Sequence, residues 1–485
     1  MPGVRKINVL SRNDFYGNAL LASLLLVLTL FISYAISHFG QNLGIVILCL
    51  IGGLGLMAAS FIAPKFGFYL CIFLGFIIST FERILLGIIT LDFTIEILVY
   101  VILAGIVLKK HLNREKVLSK TNHVINYAWL IYLAFLLLEV FNPQANSVMG
   151  ALFFMRKTIE LIVIYIISLE VIQTYKDINF YFKFWILMSV LCGLYACYQQ
   201  WVGLPGFEMR WVTSSDQLLG LYYINGEFRK WSSLTDPAAF GILMACTAVI
   251  CLVMAVETKS WMNKILLVVS AVIMILGMAY SGTRTATFSL IGGLVLYVFL
   301  TINKTRTLLF AVVCTFLFIF VLFAPIYSNT TLNRVRSSFD FKDDNSYKVR
   351  NTNRERIRPY ILSHPIGGGS LTTGDVGTRF YPGHPLAGFP SDSGLLKTAL
   401  EYGWIGLILV CSLYFIILQQ GVHLFYRVKK PFAKIFVLAV VTSLFSTIIS
   451  QYSQIAIGAS PGIFLFYPTI AILIRISKLE KIENK

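Results

Sequence analysis

The feature that most constrains this chain is a succession of apolar blocks of about 18–25 residues, separated by polar connections that are mostly short. A helix rises about 1.5 Å per residue, so a block of this length crosses a hydrocarbon layer of about 30 Å. The 485 residues are 57% hydrophobic and 13% charged, whereas soluble domains contain about 25% charged residues. The sequence therefore predicts an all-α polytopic membrane protein.

These blocks predict about fourteen membrane-spanning helices, and no fewer than twelve. The expected spans are 17–38, 43–63, 66–82, 90–108, 124–142, 150–173, 178–202, 236–257, 263–281, 284–302, 306–327, 392–418, 433–452 and 457–476. Three regions follow from them. Residues 1–327 hold the first eleven spans, 328–391 form a large loop, and 392–485 hold the last three spans and a basic tail.

The net charge of +17 would suit a nucleic-acid-binding protein, but its distribution favours a membrane topology. Lysines and arginines gather in alternate connections between the blocks, for example at Lys65, Lys109 and Lys429. The positive-inside rule places such connections in the cytoplasm, and with an even number of spans both termini lie there too. We therefore expect membrane lipids, and no nucleic acid, as partners.

Two connections on the opposite, outer side are long, one at about 203–235 and one at about 328–391, and long loops often carry function. The second loop contains nine basic and five acidic residues, which gives it a net charge of +4. Most of its basic residues are arginines, whose planar, bidentate geometry suits phosphate. An anion-binding site is one reading of this loop, and a solvated basic surface is the other.

Ionisable residues at membrane depth are costly and mark candidate sites. Arg156 and Glu160 are four residues apart in the sixth span, so they are expected to pair on one helix face. Arg284 lies where the ninth span gives way to the tenth, near the outer surface, and it either snorkels to headgroups or binds a ligand. Asp92 and Glu96 of the fourth span have no obvious partner, and their role stays open.

A short amphipathic helix is expected in the second loop, where the sequence runs Asn353-Arg-Glu-Arg-Ile-Arg-Pro-Tyr-Ile-Leu-Ser-His-Pro. We expect Asn353 to cap this helix, Pro359 to limit it, and the turn His364-Pro-Ile-Gly-Gly-Gly to end it. Such a helix would lie on the membrane surface, with Arg354 and Arg358 facing lipid headgroups or a diphosphate.

Two acidic residues lie where predicted spans begin on the outer side of the membrane. Thr235 or Asp236 is expected to cap the eighth span, and Arg229 lies shortly before it. Asp392 opens the twelfth span, where it acts either as an N-cap or as a catalytic carboxylate at the boundary between membrane and water. Glu401 follows within the same predicted span.

Signatures of metal-dependent and nucleotide-dependent enzymes are missing from the sequence. It contains no His-Glu-x-x-His, no Walker loop and no Asp-x-Asp that would hold a metal–nucleotide-sugar complex. All eight cysteines lie in apolar blocks, which argues against a zinc site or a disulfide framework. We expect no cofactor, and chemistry that is metal-independent and uses a lipid-bound donor.

Three segments, taken in order, carry a resemblance to a known family. They are Arg284 in Ser-Gly-Thr-Arg-Thr-Ala, the arginine-rich helix that ends at His364-Pro-Ile-Gly-Gly-Gly, and Asp392-Ser-Gly-Leu-Leu followed by Glu401-Tyr-Gly-Trp-Ile-Gly-Leu. The region of about 230–420 resembles the O-antigen polymerase (Wzy-type) and O-antigen ligase family. The resemblance implies a GT-C-like glycosyltransferase of the bacterial inner membrane that acts on the periplasmic face. It also implies glycans linked to undecaprenyl diphosphate as substrates, with a chain-length regulator and a flippase as candidate partners.

The resemblance also implies roles for individual arginines. Arg284 and one arginine of the surface helix would bind the donor diphosphate, and Arg156 corresponds to a basic residue often found in that earlier helix. The candidate diphosphate ligands are Arg156, Arg229, Arg284, Arg354 and Arg358, with Arg350 as a further alternative in the surface helix.

A departure from the ligase pattern bears on the reaction. Ligases carry a His-Asn-x-x-Leu run whose His is the proposed base, and counting back from Glu401 and Gly403 puts Asp392 at that place. An Asp there resembles the exopolysaccharide and O-antigen polymerases. We therefore expect a polysaccharide polymerase, inverting and metal-independent, with Asp392 as the catalytic base and His364, His384 and Glu401 as supporting candidates.

Two alternatives stay open. One is an O-antigen ligase that transfers the glycan to lipid A core or to protein. The other is a flippase for lipid-linked oligosaccharides, whose charges should line a central cavity instead of gathering at the outer surface.

Overall fold

A computed structural model describes residues 41–86, 91–115, 122–224, 226–325, 330–337, 339, 345–458 and 460–483, with scattered positions between 23 and 38. Within these ranges the protein is almost entirely helical, and the strands that are described form one short hairpin. The hairpin pairs Tyr223–Ile224 with Glu227–Phe228 in antiparallel register. The predicted all-α polytopic membrane architecture is confirmed.

The helices correspond to the predicted spans. In the part of the chain that the structure describes, thirteen helices of 15 to 27 residues overlap these spans, and we call them membrane-sized for their place in the bundle: Gln41–Ile62, Pro64–Ile84, Asp92–Leu112, Val124–Leu138, Val148–Val171, Tyr175–Trp201, Pro237–Glu257, Trp261–Ser281, Arg284–Thr301, Thr305–Phe323, Gly403–Arg427, Pro431–Ser450 and Ile463–Glu483. Each predicted span from the second to the fourteenth overlaps one of them, whereas the first, 17–38, lies mostly outside the described residues. Among the described helices, nine are long and apolar enough to cross a membrane by composition alone.

Further elements lie in the connections. They are the helices Gly206–Val212, Asp216–Tyr222, Thr330–Ser337, Asn345–Ser363, Gly374–Phe380 and Gly394–Glu401, and a 3-10 turn at Glu139–Phe141. The predicted N-cap of the eighth span is Asp236, whose carboxylate accepts hydrogen bonds from the backbone N–H groups of Ala238 and Ala239 at 2.8 and 2.9 Å. Of the two predicted candidates, Asp236 is therefore the N-cap of this helix, and Thr235 is not.

Pro237–Glu257 is the most buried of the apolar helices and packs against its neighbours on several sides. A Cβ at Gly293 would overlap the Ser446 hydroxyl, so glycine permits the close approach of two helices there. Polar groups inside this core are paired, as at Trp185, whose indole N–H donates to the Thr247 hydroxyl at 3.0 Å. Such pairing removes the cost of leaving a polar group unsatisfied where water is absent.

The two ends of the helix bundle differ in character. At one end, short connections meet through ion pairs such as Lys65–Asp177 at 2.6 Å and Lys304–Glu257 at 2.7 Å, and we call it the basic end. At the other, the two long loops contact each other, since Arg334 donates to the carbonyl oxygen of Ile224 at 2.5 Å. We call this the loop end. The connections that charge alternation assigns to one side of the membrane thus meet at one end of the bundle.

The start of the predicted twelfth span at residue 392 is wrong. The chain forms the separate helix Gly394–Glu401, breaks at Tyr402, and begins the long helix at Gly403. The break has a physical cause, because Gly403 has a φ of +66° and its Cα faces the Pro365 carbonyl so closely that a Cβ would overlap it. The Gly367-Gly-Gly turn lies against this break and donates from Gly368 to the carbonyl oxygen of Leu400 at 2.9 Å.

The predicted bounds of the surface helix are also wrong. The helix extends from Asn345 to Ser363, so Asn353 lies in its interior and caps nothing. Pro359 lies inside the helix, which continues for one more turn beyond it. The prediction that the turn at His364 ends the helix is confirmed. The longer helix matters because it brings Arg350 onto the same element as Arg354.

We predict that Gly403→Ala destabilises the protein by clearly more than the about 1–2 kcal/mol that a left-handed alanine costs. The added methyl group would push the Pro365 carbonyl away and open the contact with the Gly367 turn. Thermal unfolding of the purified protein in detergent measures the effect. Gly374→Ala is the matched control, because Gly374 has a similar φ of +63° but its nearest neighbour for a Cβ is 4.0 Å away. Equal losses for the two variants would contradict the close contact at Gly403.

Candidate active site

The turn 451–454, which follows the helix Pro431–Ser450, joins three segments at the loop end. The guanidinium of Arg354 donates from Nη1 to the Tyr452 hydroxyl and from Nη2 to the Tyr452 carbonyl, both at 3.0 Å. It also lies 4.6 Å from the centre of the Tyr452 ring, a cation–π distance. The helix Asn345–Ser363, which we call the long loop helix, is therefore attached to this turn by one of the predicted site residues.

The other two segments reach the same turn through neighbours of predicted site residues. The Thr285 hydroxyl lies 2.6 Å from the Ser453 hydroxyl, which puts the start of the helix Arg284–Thr301 beside the turn. On the other side, the Ser393 hydroxyl donates to the Gln451 carbonyl at 2.9 Å. The segments that carry Arg284, Arg354 and Asp392 thus meet at one turn, although they lie far apart in sequence.

Asp392 does not cap a helix, so its ordinary structural explanation is wrong. The N-cap of Gly394–Glu401 is Ser393, whose hydroxyl accepts a hydrogen bond from the Leu396 N–H at 3.2 Å. The Asp392 carboxylate instead pairs with Arg350 of the long loop helix, with 3.5 Å between Oδ2 and Nε. Its side chain remains 44% exposed, so a ligand can reach it.

Arg229 reaches the same region from the first loop. Its Nε donates to the Ser281 carbonyl and its Nη2 to the Thr283 hydroxyl, both at 3.0 Å. Thr283 directly precedes Arg284, so two predicted arginines flank one turn. Burial lowers the pKa of Arg229, and Arg334 and Arg350 lower it further while Asp236 opposes them. A guanidinium stays protonated after such a shift, and the repulsion reflects the closeness of these arginines to one another.

Arg334 belongs to this group, and the sequence analysis did not single it out. Its side chain covers Gly282, where a Cβ would lie 3.3 Å from Cδ and Nη1 of Arg334. It also holds the hairpin of the first loop through the Ile224 carbonyl. In the sequence, the signal for Arg334 was its closeness to a second arginine, Arg336. Arg336, however, donates from Nε to the Val321 carbonyl at 2.9 Å and so holds the end of a helix.

We define the arginine cluster as Arg229, Arg284, Arg334, Arg350 and Arg354. These residues come from four separate parts of the chain, and the Asp392 carboxylate pairs directly with Arg350. Five guanidiniums near one surface repel one another, and an anion bound between them would relieve that repulsion.

Arg156 and Arg358, which were also predicted site residues, do not belong to the arginine cluster. The predicted pair of Arg156 with Glu160 is wrong, because Arg156 lies 3.3 Å from the buried carboxylate of Glu96 and Lys157 takes Glu160 at 3.0 Å. Arg156 thus pairs with a residue of another helix and not with the one on its own helix face. Glu96, for which the sequence indicated no partner, is therefore paired with Arg156. Arg358 is exposed, one turn beyond Arg354 on the long loop helix.

The supporting candidates contact the turn that follows the long loop helix. The His364 ring stacks on Tyr360 with 4.0 Å between ring centres. His384 accepts a hydrogen bond at Nδ1 from the Leu386 N–H at 3.1 Å. Burial lowers the pKa of His384, and repulsion from His364 adds to the effect, so its neutral form is favoured. Where the chain is described, no group of three His, Cys, Asp or Glu side chains could hold a metal ion.

Glu401 is buried and helps to hold the second loop in place. Its carboxylate accepts a hydrogen bond from the Thr373 hydroxyl at 2.5 Å and lies 3.9 Å from the Lys397 ammonium. Burial raises the pKa of Glu401, while Lys397 and Thr373 oppose that shift. Its backbone carbonyl accepts from the Gly369 N–H at 2.9 Å. These contacts suit a supporting residue.

A cavity of about 540 Å³ adjoins the cluster. Residues of four membrane-sized helices and of the helix Gly394–Glu401 line it, and most of them are apolar or aromatic. Its polar lining residues include Asn126, Lys157, Thr158, Lys397, Thr398, Glu401 and Gln451. Gln451 also belongs to the turn 451–454, so the cavity and the arginine cluster share a wall.

Residues 269–411 match the family model described as O-antigen ligase. The resemblance to the O-antigen polymerase and ligase family is confirmed. The matched O-antigen ligase segment contains Arg284, Arg334, Arg350, Arg354 and Asp392, whereas Arg156 and Arg229 lie before it. No curated protein matches the chain significantly.

The family match and the apolar helices together define the broad role. The chain is a multi-pass membrane protein, and its O-antigen ligase segment supports a part in glycan transfer during O-antigen assembly. Enzymes of this family resemble glycosyltransferases, and the family implies lipid-linked glycans and membrane lipids as partners.

Proposed function

We propose that this protein is a polysaccharide polymerase that transfers a growing glycan from undecaprenyl diphosphate to a sugar hydroxyl of another lipid-linked repeat unit. The observation that carries the proposal is the arginine cluster, one member of which, Arg350, pairs with the partly exposed carboxylate of Asp392. Arginines arranged this way suit a diphosphate, and a carboxylate beside them suits the acceptor hydroxyl.

The reaction follows from these two parts. The bond between the anomeric carbon and the diphosphate oxygen breaks, and its electron pair leaves with the diphosphate. The acceptor oxygen bonds to the anomeric carbon from the opposite face, which inverts its configuration, and the hydroxyl proton passes to Asp392. Fixed guanidiniums stabilise the charge that develops on the leaving group, and they do so at no cost of reorganisation because the protein already holds them.

The geometry supports roles for individual residues. Arg350, at 3.5 Å, holds the Asp392 carboxylate beside the cluster. Arg229, Arg284 and Arg334 surround the turn at Gly282 and would contact the diphosphate. The adjoining apolar cavity offers room for part of a polyprenyl chain beside the phosphates.

Two observations weigh on the alternatives. A flippase should line a central path with charge, yet the most central helix of the described bundle, Pro237–Glu257, is packed on several sides by other helices. A ligase shares the donor chemistry with a polymerase and differs in its acceptor. By the resemblance to the family, the Asp at the position where ligases carry His favours the polymerase.

We further propose that the protein lies in the bacterial inner membrane, with both termini in the cytoplasm and the loop end facing the periplasm. Charge supports this orientation, because the basic end carries the lysine-rich short connections. Undecaprenyl-diphosphate-linked glycans and membrane lipids would then meet the arginine cluster at the outer surface, with a chain-length regulator and a flippase as candidate partners.

The orientation can be tested by thiol labelling. A cysteine placed at Asp375 should react with an impermeant maleimide in intact cells whose outer membrane has been made permeable. A cysteine at Lys259, in a short connection of the basic end, should react after the inner membrane is lysed. The reverse pattern would overturn both the orientation and the proposed site of reaction.

Arg284→Lys should lower glycan transfer about tenfold or more, equivalent to about 1.4 kcal/mol of transition-state stabilisation. The charge is kept, but an ammonium cannot reproduce the bidentate contacts of a guanidinium with phosphate. Polymer length and yield in a deletion strain, at matched expression, provide the measurement. Arg356→Lys is the control, because Arg356 is an exposed arginine of the same basic loop and lies outside the cluster. A fully active Arg284→Lys protein would count against the diphosphate role of this residue.

Asp392→Asn should fold normally and reach the membrane, yet lose about 10²–10⁴-fold in rate, the usual effect of removing a general base. Asparagine keeps the shape of the side chain, and the helix cap at Ser393 is untouched. Ser393→Ala provides the matched control, since it should cost about 1 kcal/mol of stability and leave the chemistry intact. Long polymer made by Asp392→Asn would show that another residue is the base, and His384 and Glu401 would be the next to test.

A further inference from the structure

One arginine at the loop end takes no part in the proposed chemistry. Arg83 lies in the last turn of the helix Pro64–Ile84, and its side chain is 3% exposed. Its Nη1 lies 3.1 Å from the Glu208 carboxylate, and Glu208 is fully buried. A buried ion pair stabilises a protein little by itself, and here the pair joins two elements in a fixed geometry.

The same guanidinium holds the backbone of the first loop. Nη1 donates to the Ser232 carbonyl at 2.9 Å, and Nη2 donates to the Leu234 carbonyl. From the other side, the Gln199 side chain accepts from the Ser232 N–H at 2.9 Å and donates to Glu208 at 2.7 Å. Arg83, as donor, and Gln199, as acceptor, thus fix the segment 232–234. Both side chains also bind the Glu208 carboxylate.

The held segment has a strained backbone. Ser232 has a φ of +56°, a left-handed conformation that L-residues other than Gly, Asn and Asp rarely adopt. Such a conformation persists where surrounding contacts over-determine it, and it clusters at functional sites. Arg83 and Gln199 supply those contacts here.

The strained segment leads directly to the arginine cluster. Arg229 lies three residues before Ser232, and the intervening Lys230 N–H donates to the Tyr280 carbonyl at 3.0 Å. Trp231 is fully buried, 4.7 Å from the Tyr222 ring, so the chain between Ser232 and Arg229 is fixed on both sides. The position of Arg229 therefore depends on the backbone that Arg83 holds.

We infer that Arg83, Glu208 and Gln199 form a positioning device that sets Arg229 for contact with the diphosphate of the substrate. The inference rests on the proposed function, because Arg229 must bind that diphosphate for its position to matter. Arg83 and Glu208 are positioning residues, since they act through Arg229 and not on the substrate.

The test uses Arg83→Lys in the full-length protein in lipid nanodiscs. A lysine keeps the charge opposite Glu208 but cannot donate to both the Ser232 and Leu234 carbonyls. Amide hydrogen exchange in residues 229–235 should become faster, and the affinity for farnesyl diphosphate should fall about tenfold, because small misplacements of a positioned group are costly. Lys65→Arg at the opposite end of the same helix is the control and should change neither.

A double-mutant cycle separates positioning from general stability. If Arg83 acts through Arg229, then Arg83→Lys should weaken farnesyl diphosphate binding little further in an Arg229→Lys background. Gln199→Leu, which keeps the ion pair and removes the contact to the Ser232 N–H, should reproduce the faster exchange and the weaker binding if Arg83→Lys does not fold.

Additive effects in the cycle, or unchanged exchange in residues 229–235, would overturn the positioning role. Normal binding by Arg229→Lys would overturn it too, while leaving the proposed function to the other arginines. Failure of the wild-type protein to bind farnesyl diphosphate would overturn the diphosphate site itself, and the positioning role with it.

Discussion

The site depends on the backbone contact between the turn at Gly367 and the helix break at Gly403. Two hydrogen bonds, from Gly368 to the Leu400 carbonyl and from Gly369 to the Glu401 carbonyl, tie the second loop to the start of a membrane-sized helix. Backbone groups freed by the break between two helices are thereby satisfied by the loop. The same contact fixes the end of the long loop helix, and with it the direction in which Arg350 and Arg354 project.

Electrostatic repulsion shapes the rest of the site. Arginines brought close together destabilise the folded protein unless other contacts hold them, and here those contacts are mostly carbonyl oxygens, hydroxyls and a tyrosine ring. These contacts fix the guanidiniums without cancelling their charge. Carboxylates also lie nearby, since Asp392 pairs with Arg350, and Asp236 and Glu227 lie near Arg229 and Arg334. The proposed site thus combines guanidiniums suited to an anion with a carboxylate fixed beside them.

Much of the architecture was predictable because block length and charge alternation act locally along the chain. The helices and the grouping of their connections at two ends follow from these patterns. The break at Gly403 was not predictable, because it is set by Pro365, which lies in another part of the sequence. The partner of Arg156 was missed for a similar reason, since a helix-face rule considers Glu160 and ignores Glu96 on a neighbouring helix.

The candidate site was predicted in part. Arg229, Arg284, Arg354 and Asp392 do meet around the turns at Gly282 and Tyr452, whereas Arg334 emerged only from its contact with Gly282. Asp392 was the cap considered for this helix, whereas its neighbour Ser393 caps it in the structure. Because Ser393 is the cap, the Asp392 carboxylate lies outside the helix, where it pairs with Arg350.

The hydrogen bonds of the arginines distinguish structural from functional positions at the loop end. Arg83 is enclosed by the protein, and its Nε, Nη1 and Nη2 donate four hydrogen bonds to protein acceptors. Arg229 donates two hydrogen bonds through Nε and Nη2, and Arg354 donates two through its Nη atoms. A guanidinium has five N–H donors, so these two retain donors beyond the bonds that hold them. Stabilisation of a leaving diphosphate requires residues that are fixed in place and can still donate hydrogen bonds. A site whose arginines were all satisfied as Arg83 is would be rigid but unable to bind.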